Sequence, residues 1–358
     1  MFLINRASLE QRRKLCRPAV EGLLAIPREQ LLVCNVCESS RNIVMSDRDR
    51  YNLPIRTAMC LDCGLVYLVD RFTVSGYGAF YESGSYRNIS SLFNRSRHSI
   101  AQIQADQRNY AAQLVALITG YMTSRPGAKL LDIGGSAGVV AARVARHFQL
   151  EPTVLDPAAT EAQAARELGV RAVTGSLEDW ETPEQFDLIL LCRSIEHLMD
   201  LKGSLRKIRE LLAPQGLFYC DLAEFMEMCR LVGPPQTFTK IDHCYWLTQE
   251  AAEQIFRRMG FEIVSMNLAQ AYVGLLLRKS EPMARSAAAW VPTQIRQIQA
   301  IEAGWLEQDR QAPSLTEWAR RRAYRVKRQI IRWVRPESLE TSDEPVPTPI
   351  VQASAPRP

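Results

Sequence analysis

Residues 130–138 read LLDIGGSAG, and this stretch decides the fold of the chain. Two leucines lead into an acid, Asp132, and a run of small residues then opens into VVAA at 139–142, which is typical of a helix start. The small residues of the turn are Gly134, Gly135, Ser136 and Gly138. Glycines let a ligand approach the backbone closely, because no Cβ blocks the way and a positive φ costs little. The pattern therefore predicts a strand, a tight turn and a helix N-terminus that binds a flat or anionic ligand.

The acids around this turn narrow the class of ligand. Glycine-rich turns occur in nicotinamide, flavin and nucleotide enzymes alike. Asp132 lies two residues before the first glycine, where a dinucleotide site normally has an apolar residue, and Asp156 ends the next predicted strand, where its carboxylate could accept both ribose hydroxyls. Here the chain resembles the class I S-adenosylmethionine-dependent methyltransferases, whose first motif is acid, x, Gly, x, Gly, x, Gly. Ser136 replaces the usual middle glycine, so we expect a slightly altered turn.

Strand and helix patterns alternate after the turn. Strands are predicted at 128–133, 152–156, 171–174, 186–192 and 216–222, and helices at 98–121, 137–149, 158–168 and 200–212. The chain ends this region with a helix at 249–259 and strands at 261–267 and 270–278. Such alternation predicts an α/β fold with a doubly wound, Rossmann-like parallel sheet and ligands at the carboxyl ends of its strands. A reversed last strand is what the methyltransferase resemblance implies.

The resemblance also implies where the cofactor, S-adenosyl-L-methionine, binds. Its methionyl end would rest at the glycine-rich turn, with Asp132 nearby, and Asp156 would hold the ribose. The acid that often contacts adenine after the third strand is replaced by Ser176. Adenine binding is therefore expected from backbone and shape at Ser176, Leu177 and Glu178.

A Glu-His pair, Glu196 and His197, follows the fourth strand in LLCRSIEHLMD. It resembles the pair found in sugar C-methyltransferases and small-molecule O-methyltransferases. If the acceptor must lose a proton, a histidine is suited to accept it near neutral pH. We predict His197 as the base, Glu196 as the group that orients the substrate or the imidazole, and His243 as a second candidate. The alternative is that Glu196 and His197 only cap the next helix and hold the loop.

Four cysteines precede this domain as two CxxC pairs, Cys34 with Cys37 and Cys60 with Cys63, with 22 residues between the pairs. Two such knuckles complete a tetrahedral four-thiolate site for zinc. Because four thiolates leave no open position, we expect a structural ion. Two disulfides or four unrelated thiols are the alternatives. The four-cysteine module makes the sugar C-methyltransferases the group that the chain resembles most, although only 79 residues follow Lys279.

The patterns divide the chain into an N-terminal arm (1–30), a four-cysteine zinc-binding module (31–76), a linker or lid (77–97), a methyltransferase domain (98–280), a helical extension (281–335) and a disordered tail (336–358). Residues 78–88, GAFYESGSYRN, look like a loop that could fold over the cofactor. Residues 223–247 look like an irregular insertion. Its aromatic and methionine side chains are expected to form the wall of a substrate pocket, the alternative being a packed surface loop. Those side chains are Phe225, Met226, Met228, Phe238, Tyr245 and Trp246.

Charge is distributed unevenly. Residues 100–280 contain 18 Lys and Arg against 21 Asp and Glu, which gives 18 − 21 = −3, whereas residues 314–335 contain eight basic residues and one acid, 8 − 1 = +7. The latter form a basic amphipathic pattern with tryptophan, which predicts either peripheral contact with an anionic membrane or a helix docked on the domain. No stretch has the length of a signal peptide or a spanning helix, so we expect a cytoplasmic location.

Three functions remain open at this stage. The first is methyl transfer to a small molecule, a sugar or another hydroxyl-bearing metabolite, such as a nucleotide sugar or glycan. The second is RNA methylation, with the zinc module and the basic helix as contacts; the charge of residues 100–280 and the lack of an Asn/Asp-Pro-Pro-aromatic run argue against it. The third is a non-catalytic scaffold, which would have no need of Asp132, the glycines and Asp156.

Overall fold

The computed structural model describes residues 4–95, 100–269, 271–284 and 286–308. Its helices are α1 (Arg6–Leu23), α2 (Val74–Glu82), α3 (Ser85–Asn94), α4 (Ile100–Ile118), α5 (Val139–Phe148), α6 (Ala159–Glu167), α7 (Leu201–Leu211), α8 (Phe225–Val232), α9 (Gln249–Arg258) and α10 (Val291–Gln308). Its strands are β1 (Arg28–Gln30), β2 (Asn42–Ser46), β3 (Thr57–Cys60), β4 (Val66–Leu68), β5 (Asp70–Phe72), β6 (Lys129–Ile133), β7 (Glu151–Asp156), β8 (Arg171–Thr174), β9 (Phe186–Cys192), β10 (Leu212–Ala223), β11 (Tyr245–Trp246), β12 (Phe261–Ala269) and β13 (Tyr272–Lys279). Short 3₁₀ helices span Ile195–His197 and Pro235–Thr237.

A seven-stranded sheet in the order β12-β13-β10-β9-β6-β7-β8 forms the centre of the fold. Strands β6 to β10 pair in parallel, and β13 is antiparallel to both β10 and β12. The doubly wound sheet and its reversed last strand are as predicted. The chain order reverses between β6 and β9, and such a switch point opens a crevice outside the carboxyl ends of the strands.

The central strands are buried on both faces, which explains their continuous apolar sequence. Because successive side chains point to opposite faces, Leu130 and Leu188 join the core under α4 and α5, and Leu131 and Ile189 join the core on the other face. All four side chains are fully buried. Strands β8 and β9 have the predicted bounds, 171–174 and 186–192. Strand β10 begins at Leu212, before the predicted residue 216, with an irregular register that spans Pro214.

A second sheet, β11-β4-β3-β2, contains the cysteine pairs at its turns. Its edge strand β11 comes from residues 223–247, where Tyr245 and Trp246 pair antiparallel with Tyr67 and Val66. The expectation of an irregular insertion here was wrong, because the segment forms α8, a 3₁₀ helix and β11. Its aromatic and methionine side chains are also buried in the core and do not line the large cavity described below.

Residues 74–94 form two helices, which corrects the expectation of a loop at 78–88. Helix α2 begins after Thr73, whose side chain accepts a hydrogen bond from the Gly76 amide, and Gly84, with φ of 70°, separates it from α3. The N-terminal arm forms α1, which packs on α3, and Arg12 donates to the Phe93 carbonyl at 2.8 Å.

Helix α10 lies in the region expected to be helical, and Trp305 Nε1 donates to the carbonyl of Ile4 at 2.6 Å. No helix among the described residues is both long and apolar enough to cross a membrane. Three predicted features lie outside the described residues. They are the start of the helix predicted at 98–121, which includes His98, the basic helix expected at 314–335 and the tail at 336–358.

Candidate active site

A cavity of about 580 Å³ opens at the carboxyl ends of β6, β7, β8 and β9. The volume is in the usual range of sites for small molecules. The residues predicted from the sequence that line this cavity are Gly134, Ser136, Asp156, Ser176, Leu177, Glu178 and His197. Those that do not line it are Asp132, Gly135, Gly138, Glu196 and His243. Six of the nine predicted cofactor residues and one of the three predicted catalytic residues therefore meet at one site.

The glycine-rich turn is held by the acid at the end of β7. Asp156 Oδ2 accepts a hydrogen bond from the Ser136 amide, and Oδ1 accepts one from the Ala158 amide, both at 2.9 Å. Ser136 has a φ of 50°, a left-handed conformation that favours glycine, and its hydroxyl donates to Glu161 Oε2 at 3.1 Å. Each oxygen of Asp156 keeps a further acceptor position for a ribose hydroxyl.

The glycines of the turn allow close packing as well as ligand approach. A Cβ at Gly134 would lie 2.6 Å from Ser194 Oγ, so only glycine lets the loop after β9 come this close to the turn. At Gly135 a Cβ would lie 2.8 Å from the Asp132 carboxyl carbon. At Gly138 it would lie 2.8 Å from a side chain of α6. Gly135 and Gly138 thus shape the turn from behind, which is why neither reaches the cavity.

Asp132 is buried beneath this turn. Only 1% of it is exposed, and its carboxylate oxygens have no hydrogen-bond partner among the described residues. Burial, and then the negative charge of Asp156, raise the pKa of Asp132 to about 8. A buried acid without a partner next to a glycine cradle fits a ligand that brings a positive charge, as the sulfonium and ammonium groups of S-adenosylmethionine do.

The residues predicted at the adenine, Ser176 to Glu178 in the loop after β8, have separate surroundings. Leu177 is buried, and Ser176 Oγ donates to Asp179 at 2.8 Å. Glu178 Oε1 accepts hydrogen bonds from the Met199 amide and the Ser204 hydroxyl, both at 3.1 Å. Glu178 therefore anchors the loop that follows His197, while Leu177 offers an apolar surface to a planar ring.

Helices α2 and α3 cover the cavity with residues that the sequence analysis did not single out. Tyr81, Tyr86, Arg87 and Ser90 line it from this side. The rings of Tyr81 and Tyr86 meet edge to face at 5.1 Å, and Arg87 forms an ion pair with Glu161 beside the glycine-rich turn. In the sequence, the tyrosines at 77, 81 and 86 could have indicated a cavity wall, but the small residues between them are typical of a loop. The segment expected to be a linker or lid thus forms one wall of the cavity.

The end of the cavity near His197 is polar. His197 Nδ1 lies 3.1 Å from the Tyr81 hydroxyl, and Lys240 Nζ lies 2.6 Å from Asp242 Oδ2 in a buried ion pair. Burial, and then the charge of Lys240, lower the pKa of His197 to about 4. Its imidazole is therefore neutral at pH 7, with one of its two nitrogens unprotonated.

Glu196 and His243 lie next to His197 but outside the large cavity. Glu196 Oε1 lies 3.8 Å from His243 Nε2, and the rings of His197 and His243 meet edge to face at 4.8 Å. Burial raises the pKa of Glu196 to about 7 and lowers that of His243 well below its usual value. The structure thus brings the three predicted catalytic residues together, with only His197 facing the cavity.

The sulfur atoms of Cys34, Cys37, Cys60 and Cys63 all lie within 4.8 Å of one another. Two of the distances, Cys34 to Cys63 and Cys37 to Cys60, are 3.5 Å. None of the four forms a disulfide. This arrangement is compatible with one tetrahedral ion.

Three features together indicate the class of protein: the strand order of the central sheet, the glycine-rich turn with its acid, and the cavity at the switch point. A comparison with protein families indicates the same class. Residues 103–266 match the family described as "Methyltransferase domain". This part of the chain is thus similar to a methyltransferase domain, and its fold is Rossmann-like. The match leaves the N-terminal 102 residues and the last 92 unassigned.

Several solved structures are distantly similar. Magnesium protoporphyrin IX methyltransferase from Synechocystis PCC 6803 with bound SAH is 14% identical, with 56% of this chain and 97% of that chain covered and a TM-score of 0.43. An S-adenosylmethionine-dependent methyltransferase from Mesorhizobium loti is 15% identical, with 46% and 96% covered and a TM-score of 0.41. An O-methyltransferase family protein from Burkholderia thailandensis is 14% identical, with 57% and 64% covered and a TM-score of 0.41. A search of curated proteins gave no significant match.

Proposed function

We propose that the chain transfers the methyl group of S-adenosylmethionine to a small hydroxyl-bearing molecule, a sugar such as a nucleotide sugar or another metabolite. The observation that carries the proposal is the covered cavity of about 580 Å³, which joins the glycine-rich turn to a polar end lined by His197, Lys240 and Asp242. Methyl transfer needs cofactor and acceptor in line and in contact. One cavity with both types of lining supports this.

The shape of the cavity favours a small acceptor over a polymer. Helices α2 and α3 line one side of the cavity with Tyr81, Tyr86 and Arg87, so an acceptor would bind in a cleft rather than along a flat surface. Residues 100–280 also have the net charge of −3 given above, which is a poor match for a phosphate backbone. An Asp-Lys pair and a tyrosine hydroxyl at the acceptor end are suited to hydrogen bonds with a sugar or similar polyol.

Each group would then have a separate task. When bound, S-adenosylmethionine would supply an electrophilic methyl group. Asp156 would accept the ribose hydroxyls, and Asp132 would offset positive charge beneath the turn. The neutral imidazole of His197 would accept the proton of a hydroxyl, or of a carbon next to a carbonyl, and Tyr81 would orient that imidazole through Nδ1. Water would be kept out by α2 and α3, acting as a lid.

We also propose that the four-cysteine site holds a structural zinc ion, in agreement with a module like that of sugar C-methyltransferases. Its first knuckle contacts the loop after His197, because Asn35 Nδ2 donates to Asp200 Oδ1 at 2.9 Å and Asn35 Oδ1 accepts from the Lys202 amide at 3.1 Å. Tyr245 in β11 of the second sheet and Arg71 in β5 also hold this loop, since the Met199 carbonyl accepts hydrogen bonds from Arg71 at 2.6 Å and from Tyr245 at 2.8 Å. The ion would thus support the acceptor side of the cavity.

The test is incubation with S-adenosylmethionine labelled in its methyl group and three acceptor pools: nucleotide sugars, glycans and total RNA. We expect label in a nucleotide sugar or another small hydroxyl-bearing molecule, and loss of that signal in His197→Ala. Label only in RNA would contradict the small-molecule proposal. Label in none of the pools, from protein shown to bind the cofactor, would count against a sugar acceptor.

A further inference from the structure

Glu196, His197 and His243 form a cluster with the composition of a metal site. One carboxylate oxygen and one ring nitrogen from each histidine lie within 4.8 Å of one another. Two imidazoles and one carboxylate are a common ligand set for first-row divalent ions, and sets of this kind leave positions open for other ligands. The four cysteines share no residue with this cluster and supply sulfur ligands only, so this cluster is a separate site.

The cluster has a free ligand atom where an ion would need it. Glu196 is 7% exposed, and its Oε2 has no hydrogen-bond partner among the described residues, while Oε1 lies 3.8 Å from His243 Nε2 without a close bond. A buried carboxylate oxygen without a partner is costly. A cation between the carboxylate and the two rings would remove that cost.

The distances are close to those of coordination. Imidazole nitrogens and carboxylate oxygens lie about 2.0–2.2 Å from zinc, so two ligands of one ion are at most about 4.2 Å apart. The 3.8 Å between Glu196 Oε1 and His243 Nε2 already meets this limit, and a spread of 4.8 Å closes with side-chain shifts of under about 1 Å. Lys240, which lines the same cavity as His197, is paired with Asp242 at 2.6 Å, and this pairing reduces its repulsion of an ion.

We propose that Glu196, His197 and His243 bind a divalent transition-metal ion of the zinc or cobalt type. The site has a consequence that rests on the proposed function, namely the role of His197 as base. A neutral imidazole has a single unprotonated nitrogen, so the nitrogen of His197 that holds the ion cannot accept a proton from the acceptor. The ion therefore inhibits any methyl transfer that needs this base.

Binding is tested without an acceptor by titrating full-length, zinc-loaded protein with cobalt(II) chloride and following its visible absorption and its calorimetric heat. We expect one cobalt ion per chain in addition to the ion in the cysteines. Affinity should fall at least about tenfold in Glu196→Gln, and likewise in His243→Asn, while His147→Ala, in helix α5, retains wild-type affinity. Cobalt that replaces zinc in the cysteines would show intense thiolate charge-transfer absorption. If all of the bound cobalt gave this absorption, and no further ion bound, the proposal would be overturned.

Two further outcomes decide the matter. Equal cobalt affinity in wild type and the Glu196 and His243 variants, with all proteins folded by circular dichroism, would also overturn it. With an acceptor in hand, we expect added zinc to lower turnover in proportion to site occupancy and a chelator to restore it. Because the titration needs no acceptor, failure of the proposed function would leave the metal result readable.

Discussion

Two acids, Asp132 and Asp156, share the glycine-rich turn but have different surroundings. Both carboxylate oxygens of Asp156 accept backbone hydrogen bonds, whereas those of Asp132 have no partner among the described residues. Burial raises the pKa of both groups, and that of Asp132 reaches about 8. Asp156 therefore shapes the turn in the free protein, whereas Asp132 does not hold the turn through its carboxylate.

The raised pKa of Asp132 leads to a prediction about how the stability of the protein depends on pH. Its pKa in the folded state, about 8, lies above that of an unfolded chain, about 3.9, so folded protein binds the extra proton. The stabilisation is complete below the unfolded pKa and is lost as the pH rises through about 8. The free energy of unfolding of cofactor-free protein should fall by up to about 1.4 kcal/mol per pH unit between these values on account of this group.

Urea unfolding of wild type and Asp132→Asn at several pH values checks this. In the variant, the free energy of unfolding should lack the pH dependence that Asp132 causes. The difference in free energy of unfolding between the two proteins should therefore shrink or reverse as the pH rises. Parallel curves over the whole range would show that Asp132 is ionised in the folded protein.

His197 makes a prediction for catalysis. Once an acceptor is known, His197→Ala should lower turnover by about 10² to 10⁴, because a base that accepts the proton is gone, with cofactor affinity unchanged. His147→Ala is the matched control. Steady-state kinetics with calorimetry on each variant separates the two effects. A loss under about threefold, or one explained wholly by weaker cofactor binding, would leave His197 with a scaffolding role.

The cavity-lining residues that were predicted correctly from the sequence all lie in or next to predicted strands and turns. Asp156 and Ser136 are adjacent to strand ends, and parallel strands bring their carboxyl ends together whatever the loops do. Lys240 and Asp242 could not be found in this way. They come from residues 223–247, whose path depends on packing against the N-terminal sheet rather than on local pattern.

At the scale of elements, the alternation of strand and helix patterns in residues 128–222 was sufficient to predict these elements, because the central strands are apolar on both faces and the helices have one apolar side. The pattern was insufficient at α2 and α3, where glycine and serine residues within GAFYESGSYRN resemble a turn, although Gly78 sits inside α2. Strand β11 has only two residues, too few for any periodicity, and it forms because β4 offers it an edge.

The four-stranded sheet leads to a prediction about zinc. Purified protein should hold one zinc per chain, and Cys37→Ser should lose it and loosen the sheet, because a small sheet has little core of its own. Since β11 belongs to this sheet and Tyr245 holds the Met199 carbonyl, amide exchange should rise at 199–202 and 245–246 as well.

Elemental analysis and hydrogen exchange measure the two parts, with Cys16→Ser as a control outside the cluster. A zinc-free protein with wild-type exchange in β2, β3, β4 and β11 would contradict the structural role.

At the scale of the whole molecule, the basic pattern of residues 314–335 stays a prediction, since it lies outside the described residues. Arginines with a tryptophan-bearing apolar side should bind anionic surfaces. Sedimentation with anionic liposomes can compare the full chain with a chain ending at residue 313. We expect the full chain in the pellet and the shortened chain in the supernatant. Equal amounts of both in the supernatant would favour a helix docked on the domain.

The central claim is that the cavity at β6, β7 and β9 is the cofactor site, with Asp156 on the ribose. Isothermal calorimetry of S-adenosylmethionine and its demethylated product with wild type, Asp156→Ala and the surface control Glu151→Gln tests it most directly. Hydrogen bonds to an ionised carboxylate contribute about 1.5–3 kcal/mol each, so Asp156→Ala should weaken binding by about tenfold or more. Glu151→Gln should bind as wild type does. Equal affinity in wild type and Asp156→Ala, or no binding by the wild type, would contradict the assignment.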